Sequence, residues 1–121
     1  MEVKDLDFEI SFYEKIVKDK PNYVEALIPL AEAYTKKGRF QDGLEIDKRL
    51  SLLCLEDPTV YYNLACSYAL VDQKDHAIAS LKHALALGYR DLKHLLQDSD
   101  LKKLHGNPDF EELVRSFPLK V

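Results

Sequence analysis

Apolar residues along this chain recur at helical spacing, in blocks separated by short polar turns. The first block, 6–20, holds Leu6, Phe8, Ile10, Phe12, Tyr13, Ile16 and Val17. Phe12, Tyr13, Ile16 and Val17 form one stripe of a helix, and Pro21 ends it because proline cannot continue the hydrogen-bond ladder. Asn22 is placed to cap the next helix, Tyr23 to Lys37, whose apolar face is Leu27, Leu30, Ala31 and Tyr34. Pro29 falls inside that helix and predicts a kink or a late start; Gly38 is a left-handed stop. Arg39 to Leu53 reads as a helix anchored by Phe40, Leu44, Ile46, Leu50 and Leu53. After Glu56-Asp57-Pro58 comes the clearest pair. Its first helix carries Tyr61, Leu64, Ala65 and Tyr68. The turn runs from Asp72 to Asp75, either of which can cap, and the second helix carries Ala77, Ile78, Leu81, Ala84, Leu85 and Leu87 before Gly88.

The two pairs superpose at an offset of 34 residues. Leu27 falls on Tyr61, Leu30 on Leu64, Ala31 on Ala65, Tyr34 on Tyr68 and Gly43 on Ala77. The first helix fits the same frame, with Ile16, Leu50 and Ala84 in line. Small residues at Ala31, Gly43, Ala65 and Ala77 let helix backbones approach while large residues fill the gaps. A unit of this length cannot bury its apolar face alone, so neighbours must stack on it.

Tyr61, Leu64, Ala65, Tyr68, Ala77, Leu81 and Ala84, with Leu27, Leu30, Ala31, Tyr34, Gly43 and Leu50 before them, resemble the tetratricopeptide-repeat pattern over roughly 8–90. Pro21 is in the family's register. Asp47 replaces the usual aromatic, Pro58 comes three residues late, and Tyr89 stands where the second repeat's proline is expected. The resemblance implies an all-α fold, a right-handed superhelical stack of antiparallel helix pairs. It also implies one domain over 1–121: a half-repeat helix 6–20, repeat 1 over 22–57, repeat 2 over 58–88 and a helical cap over 90–121.

Leu92 opens a third copy with Leu95 at the aromatic position, but Asp98 stands where leucine is required. Short helices are expected instead: Asp91 to Gln97, Ser99 to His105 capped by Asp98 or Ser99, and Pro108 to Phe117 capped by Asn107. This segment resembles tails that follow the repeats in small bacterial members of the family, and it implies a cover for the open end of the stack.

Composition narrows the functional classes. The 121 residues carry a net charge of −4 with no dominant basic cluster, which argues against nucleic acid as a partner. No run approaches the roughly 18 apolar residues of a membrane span, and the alternating charges of the first ten residues do not form a signal peptide. A cytoplasmic location is expected. Cys54 and Cys66 read as packed, reduced thiols rather than a redox pair. His76, His83, His94 and His105 lack zinc-ligand spacing, and Asp98-Ser99-Asp100 lacks the later ligands of a calcium loop. With four glycines there is no phosphate loop, and no G-x-S-x-G nucleophile motif occurs. No catalytic residue, metal or cofactor is assigned, and the protein is expected not to be an enzyme.

Recognition remains. By the resemblance, the first helix of each pair lines a concave groove, here Glu25, Ile28, Glu32 and Thr35 with Tyr62, Asn63, Cys66 and Leu70. Tyr62 stands out because Tyr61 already fills the core position; it either meets a ligand or packs against the first helix or the tail. Asn63 occupies one position of the family's carboxylate clamp. Ile28 and Glu32 replace the Lys and Asn expected in repeat 1, so a basic or amphipathic protein segment suits the groove better than an acidic tail. The expected function is a non-enzymatic protein–protein interaction module. The alternatives are a homodimer built through the repeat face and, after it, an enzyme or cofactor binder.

Overall fold

A computed structural model describes residues 3–117. The ends of the expected domain, 1–2 and 118–121, lie outside the described residues. All regular structure among the described residues is helical. The chain divides into two compact units, residues 1–55 and 56–121, inside the connector between the two expected repeats.

The first unit holds α1 (Val3–Asp19), α2 (Val24–Lys37) and α3 (Phe40–Leu53). α1 packs on α2, and α2 on α3. The inward stripe of α1 keeps Tyr13, Ile16 and Val17 of the expected set, all half-buried, but is centred on Ile10 and leaves out Phe12. Ile10 is buried and Leu6, Tyr13 and Val17 are half-buried on its side, whereas Phe12 is exposed. Positions 6, 10, 13 and 17 keep the i, i+4, i+7 spacing better than the expected set. Two polar contacts tie α1 to α2: the Tyr34 hydroxyl donates to Glu14 at 2.5 Å, and Lys37 pairs with Asp7 at 2.8 Å. Burial and the neighbouring Glu14 carboxylate push Tyr34 up to about 12.

Pro29 does not delay α2. Ala26 and Leu27 are buried beside Leu30 and Ala31, and their amides already bond to the Tyr23 carbonyl. Burial on both sides of the proline offsets the one ladder bond it removes. The helix cap is Tyr23, without a side-chain bond, rather than Asn22. Gly38 takes φ 87, and its amide and that of Arg39 close the last turn of α2. α2 and α3 meet closely at Gly43. A methyl group there would stand 3.1 Å from the Thr35 hydroxyl oxygen and 3.6 Å from the Ala31 carbonyl. Phe40 and Leu53, expected as anchors of α3, are exposed; Leu44, Ile46 and Leu50 are buried.

The second unit holds α4 (Pro58–Leu70), α5 (Lys74–Ala86), α6 (Leu92–Gln97), a 3-10 helix (Ser99–Leu104) and α7 (Pro108–Arg115). Asp57 caps α4 through the amides of Thr59 and Val60. Asp72 does not cap α5; it takes φ 64, the left-handed conformation that Gly38 takes one repeat earlier, and Gln73 is the cap residue. The helix starts keep the period: Val24, Pro58 and Leu92 are 34 apart, as are Phe40 and Lys74. Beyond α5 the 3-10 helix lies against α4 and α7 against α5. Leu95, Leu101, Leu104 and Phe110 are almost wholly buried, so the terminal segment belongs to the core of this unit. Asn107 caps α7, as expected, and Gly106 precedes it at φ 88.

Candidate functional site

Two of the four α4 residues expected to line the groove are covered. Tyr62 and Cys66 are one helical turn apart and only 3% and 6% exposed. Their partner is Asp98. The Tyr62 hydroxyl donates to Asp98 Oδ2 at 2.7 Å and the Cys66 thiol donates to the same oxygen at 3.6 Å. Oδ1 of Asp98 accepts from the Asp100 amide at 3.0 Å and so caps the 3-10 helix. His94 Nε2 stands 3.4 Å from Oδ2. The Tyr62 ring stacks on Tyr89 with centroids 4.5 Å apart, and the His94 ring lies beside it at 5.5 Å.

This arrangement explains why the third copy fails. α6 starts in register but ends at Gln97 because Asp98 turns extended, φ −70 and ψ 117, to serve two oxygens to three donors. Tyr89, which stands where the resemblance expects proline, has a place of its own here. The Tyr89 amide donates to the Ala84 carbonyl at 2.9 Å, a bond proline lacks, and its ring becomes the platform for Tyr62.

Electrostatics favour the neutral forms of the donors. Burial, reinforced by the Asp98 carboxylate, pushes the Tyr62 hydroxyl and the Cys66 thiol well up from their ordinary values. Burial pushes Tyr89 up to about 12. Asp100 is also raised, first by desolvation and then by the neighbouring Asp98 charge. Cys66 is therefore a protonated donor rather than an activated nucleophile. Cys66 Sγ and one carboxylate oxygen each of Asp98 and Asp100 lie within 4.8 Å of one another. Hydrogen bonds from the Cys66 thiol and the Asp100 amide to Asp98 bring these residues together.

The remaining expected site residues separate cleanly. On α2, Glu25, Ile28 and Glu32 are exposed, Ile28 at 42%. Thr35 is not part of that row. It is half-buried, donates to the Ala31 carbonyl at 3.1 Å and abuts Gly43 on the side facing α3. On α4, Asn63 is exposed and Leu70 half-buried. Cys66, assigned to a ligand surface, is instead held beneath the chain's own terminal segment, and of the two placements open to Tyr62 the structure shows the one against the tail. Asp98 and Tyr89 are the residues the sequence reading missed as partners of Tyr62. A carboxylate at a leucine position of a repeat was the available signal, since a buried charge requires donors nearby.

No family model matches the chain. A chloroplastic protein of Arabidopsis thaliana is 31% identical over 90 residues, which covers 69% of this chain and 26% of that protein. The chain thus spans about a quarter of the length of the curated relative it matches. Among the described residues no helix is long and apolar enough to cross a membrane.

Proposed function

We propose that this chain is a tetratricopeptide-like, right-handed superhelical stack that serves as a non-enzymatic protein-binding module. The reading rests on one observation, the contrast between two rows in the same repeat register. Ile28 corresponds to Tyr62 and Glu32 to Cys66, 34 residues on. On α4 that row is occupied by a segment of the chain itself, the 3-10 helix and the residues that lead into it. On α2 it is open. A row that takes a packed segment in one repeat is suited to take a partner's segment in the other. The occupant of the α2 row places an apolar side chain on Ile28. Its Lys or Arg residues meet Glu25 and Glu32, which lie one turn to either side.

The test uses wild-type, Ile28→Ser and Glu25→Lys/Glu32→Lys chains as baits in quantitative affinity purification from source cells. A synthetic segment of the retained partner is then titrated. Each variant is expected to lose about tenfold or more in affinity, some 1.4 kcal/mol, with helical content unchanged. Equal affinity for all three chains overturns the assignment. The Arabidopsis relative is chloroplastic by name. A tagged copy at the native locus therefore decides between the cytoplasmic location expected from the sequence and an organelle.

A further inference from the structure

α1 carries two apolar faces. One, with Ile10 at its centre, packs on α2. The opposite face presents Phe8 and Phe12, 70% and 49% exposed, with stacked rings 6.3 Å apart. Two neighbouring exposed phenylalanines on one helix leave a large apolar surface in water. The same row continues to Asp5 on one side and Lys15 on the other, both exposed and each three residues from the nearer ring. The order along the face is acid, ring, ring, base. It is symmetric about position 10: Phe8 mirrors Phe12, and Asp5 mirrors Lys15, with opposite charge.

A helix with this order is complementary to an antiparallel copy of itself. Laid against its twin about a two-fold axis at the level of Ile10, Phe8 of each copy meets Phe12 of the other. Asp5 of each meets Lys15 of the other, giving two ring contacts and two ion pairs from one row of side chains. A parallel copy would set like charges opposite each other. A two-fold contact of this kind is isologous and closes at two subunits. We propose that the outer face of α1 is a homodimer contact whose occupant is α1 of a second copy, paired antiparallel. This face is distinct from the Ile28 row, and the proposal stands whether or not that row binds a partner. One helix pair buries less than the ~1,200 Å² of a standard interface, so the dimer is weak, with a dissociation constant on the order of 10–100 µM.

Sedimentation equilibrium over ~1 µM to ~1 mM of the whole chain reads this out at the concentrations such an affinity requires. The mass is expected to rise from that of the 13.9 kDa monomer to twice that value. Phe8→Ser/Phe12→Ser should remain monomeric throughout, with unchanged circular dichroism. Asp5→Lys and Lys15→Asp should each weaken the dimer about tenfold, and an equimolar mixture of the two should restore it, because opposite charges then face each other again. A wild-type chain that stays monomeric to the top of the range overturns the proposal. So does a dimer indifferent to both phenylalanines, or charge variants that recover no affinity on mixing. Monomeric wild type that binds anionic vesicles only when both phenylalanines are present also overturns it, making the face a lipid contact.

Discussion

The rows on α2 and α4 begin from the same register and end in opposite states. Ile28 stands in water, while Tyr62, its counterpart, lies under the terminal segment and shares Asp98 with Cys66. The difference does not come from the helix pairs, whose starts and left-handed turns match at Gly38 and Asp72. It comes from the residues after each pair. α3 is followed by a full helix, α4. α5 is followed by α6, which stops at Asp98 and hands the chain to a 3-10 helix against α4. Asp98 stands at the register position of Leu30 and Leu64, and there the chain leaves the helix and becomes the cover.

Removing that carboxylate tests the contrast hardest. Asp98→Ala deletes the cap of the 3-10 helix and leaves the buried Tyr62 hydroxyl without its acceptor. A loss of about 2–4 kcal/mol is expected in denaturant unfolding. A loss below about 0.5 kcal/mol, the scale of an ordinary surface substitution, would mean that the cover does not depend on Asp98. Tyr62→Phe keeps the ring stack on Tyr89 and removes only the donor, so about 1–2 kcal/mol is expected, and less in an Asp98→Ala background than in wild type.

Asp100 gives the smallest effect and the opposite sign. Its folded-state pKa lies above the unfolded value because its charge is partly desolvated beside Asp98. The folded chain therefore binds the proton more tightly than the unfolded one. That advantage is present at low pH and is lost as the pH rises through the folded value. Asp100→Asn is expected to raise the melting temperature at neutral pH by ~2 °C and to lose this advantage on acidification. A stabilisation that persists at low pH would assign the effect to something other than charge.

Much of the fold was legible in the residues. Hydrophobic spacing placed all of the helix pairs, and Gly38, Gly88, Pro58 and Asn107 marked their ends. The errors have physical reasons. Asn22 was expected to cap α2, but the first amides of that helix bond to the Tyr23 carbonyl. Phe12 was placed on the apolar stripe of α1 by its spacing from Tyr13, Ile16 and Val17, yet Ile10 sets the inward side and Phe12 lies off it. Of the expected surface row, Glu25, Ile28 and Glu32 do stand in water on α2. On α4 Asn63 is exposed too, Tyr62 takes the tail-packed of its two expected placements, and Cys66 is covered because a side chain's exposure depends on what folds back over it: Tyr62 and Cys66 meet Asp98, 36 and 32 positions away. Local periodicity carries no record of that return.

The central claim is that one register position is open in the first pair and covered in the second. Native-state alkylation measures it directly, comparing the thiol of Glu32→Cys, the register equivalent 34 residues earlier, with that of Cys66 by mass spectrometry and normalising each to its rate in denaturant. Exposure predicts that the residue 32 thiol reacts at close to its unfolded rate. Burial under Asp98 predicts that Cys66 is protected by on the order of 100-fold or more. Equal normalised rates at the two positions would contradict the account.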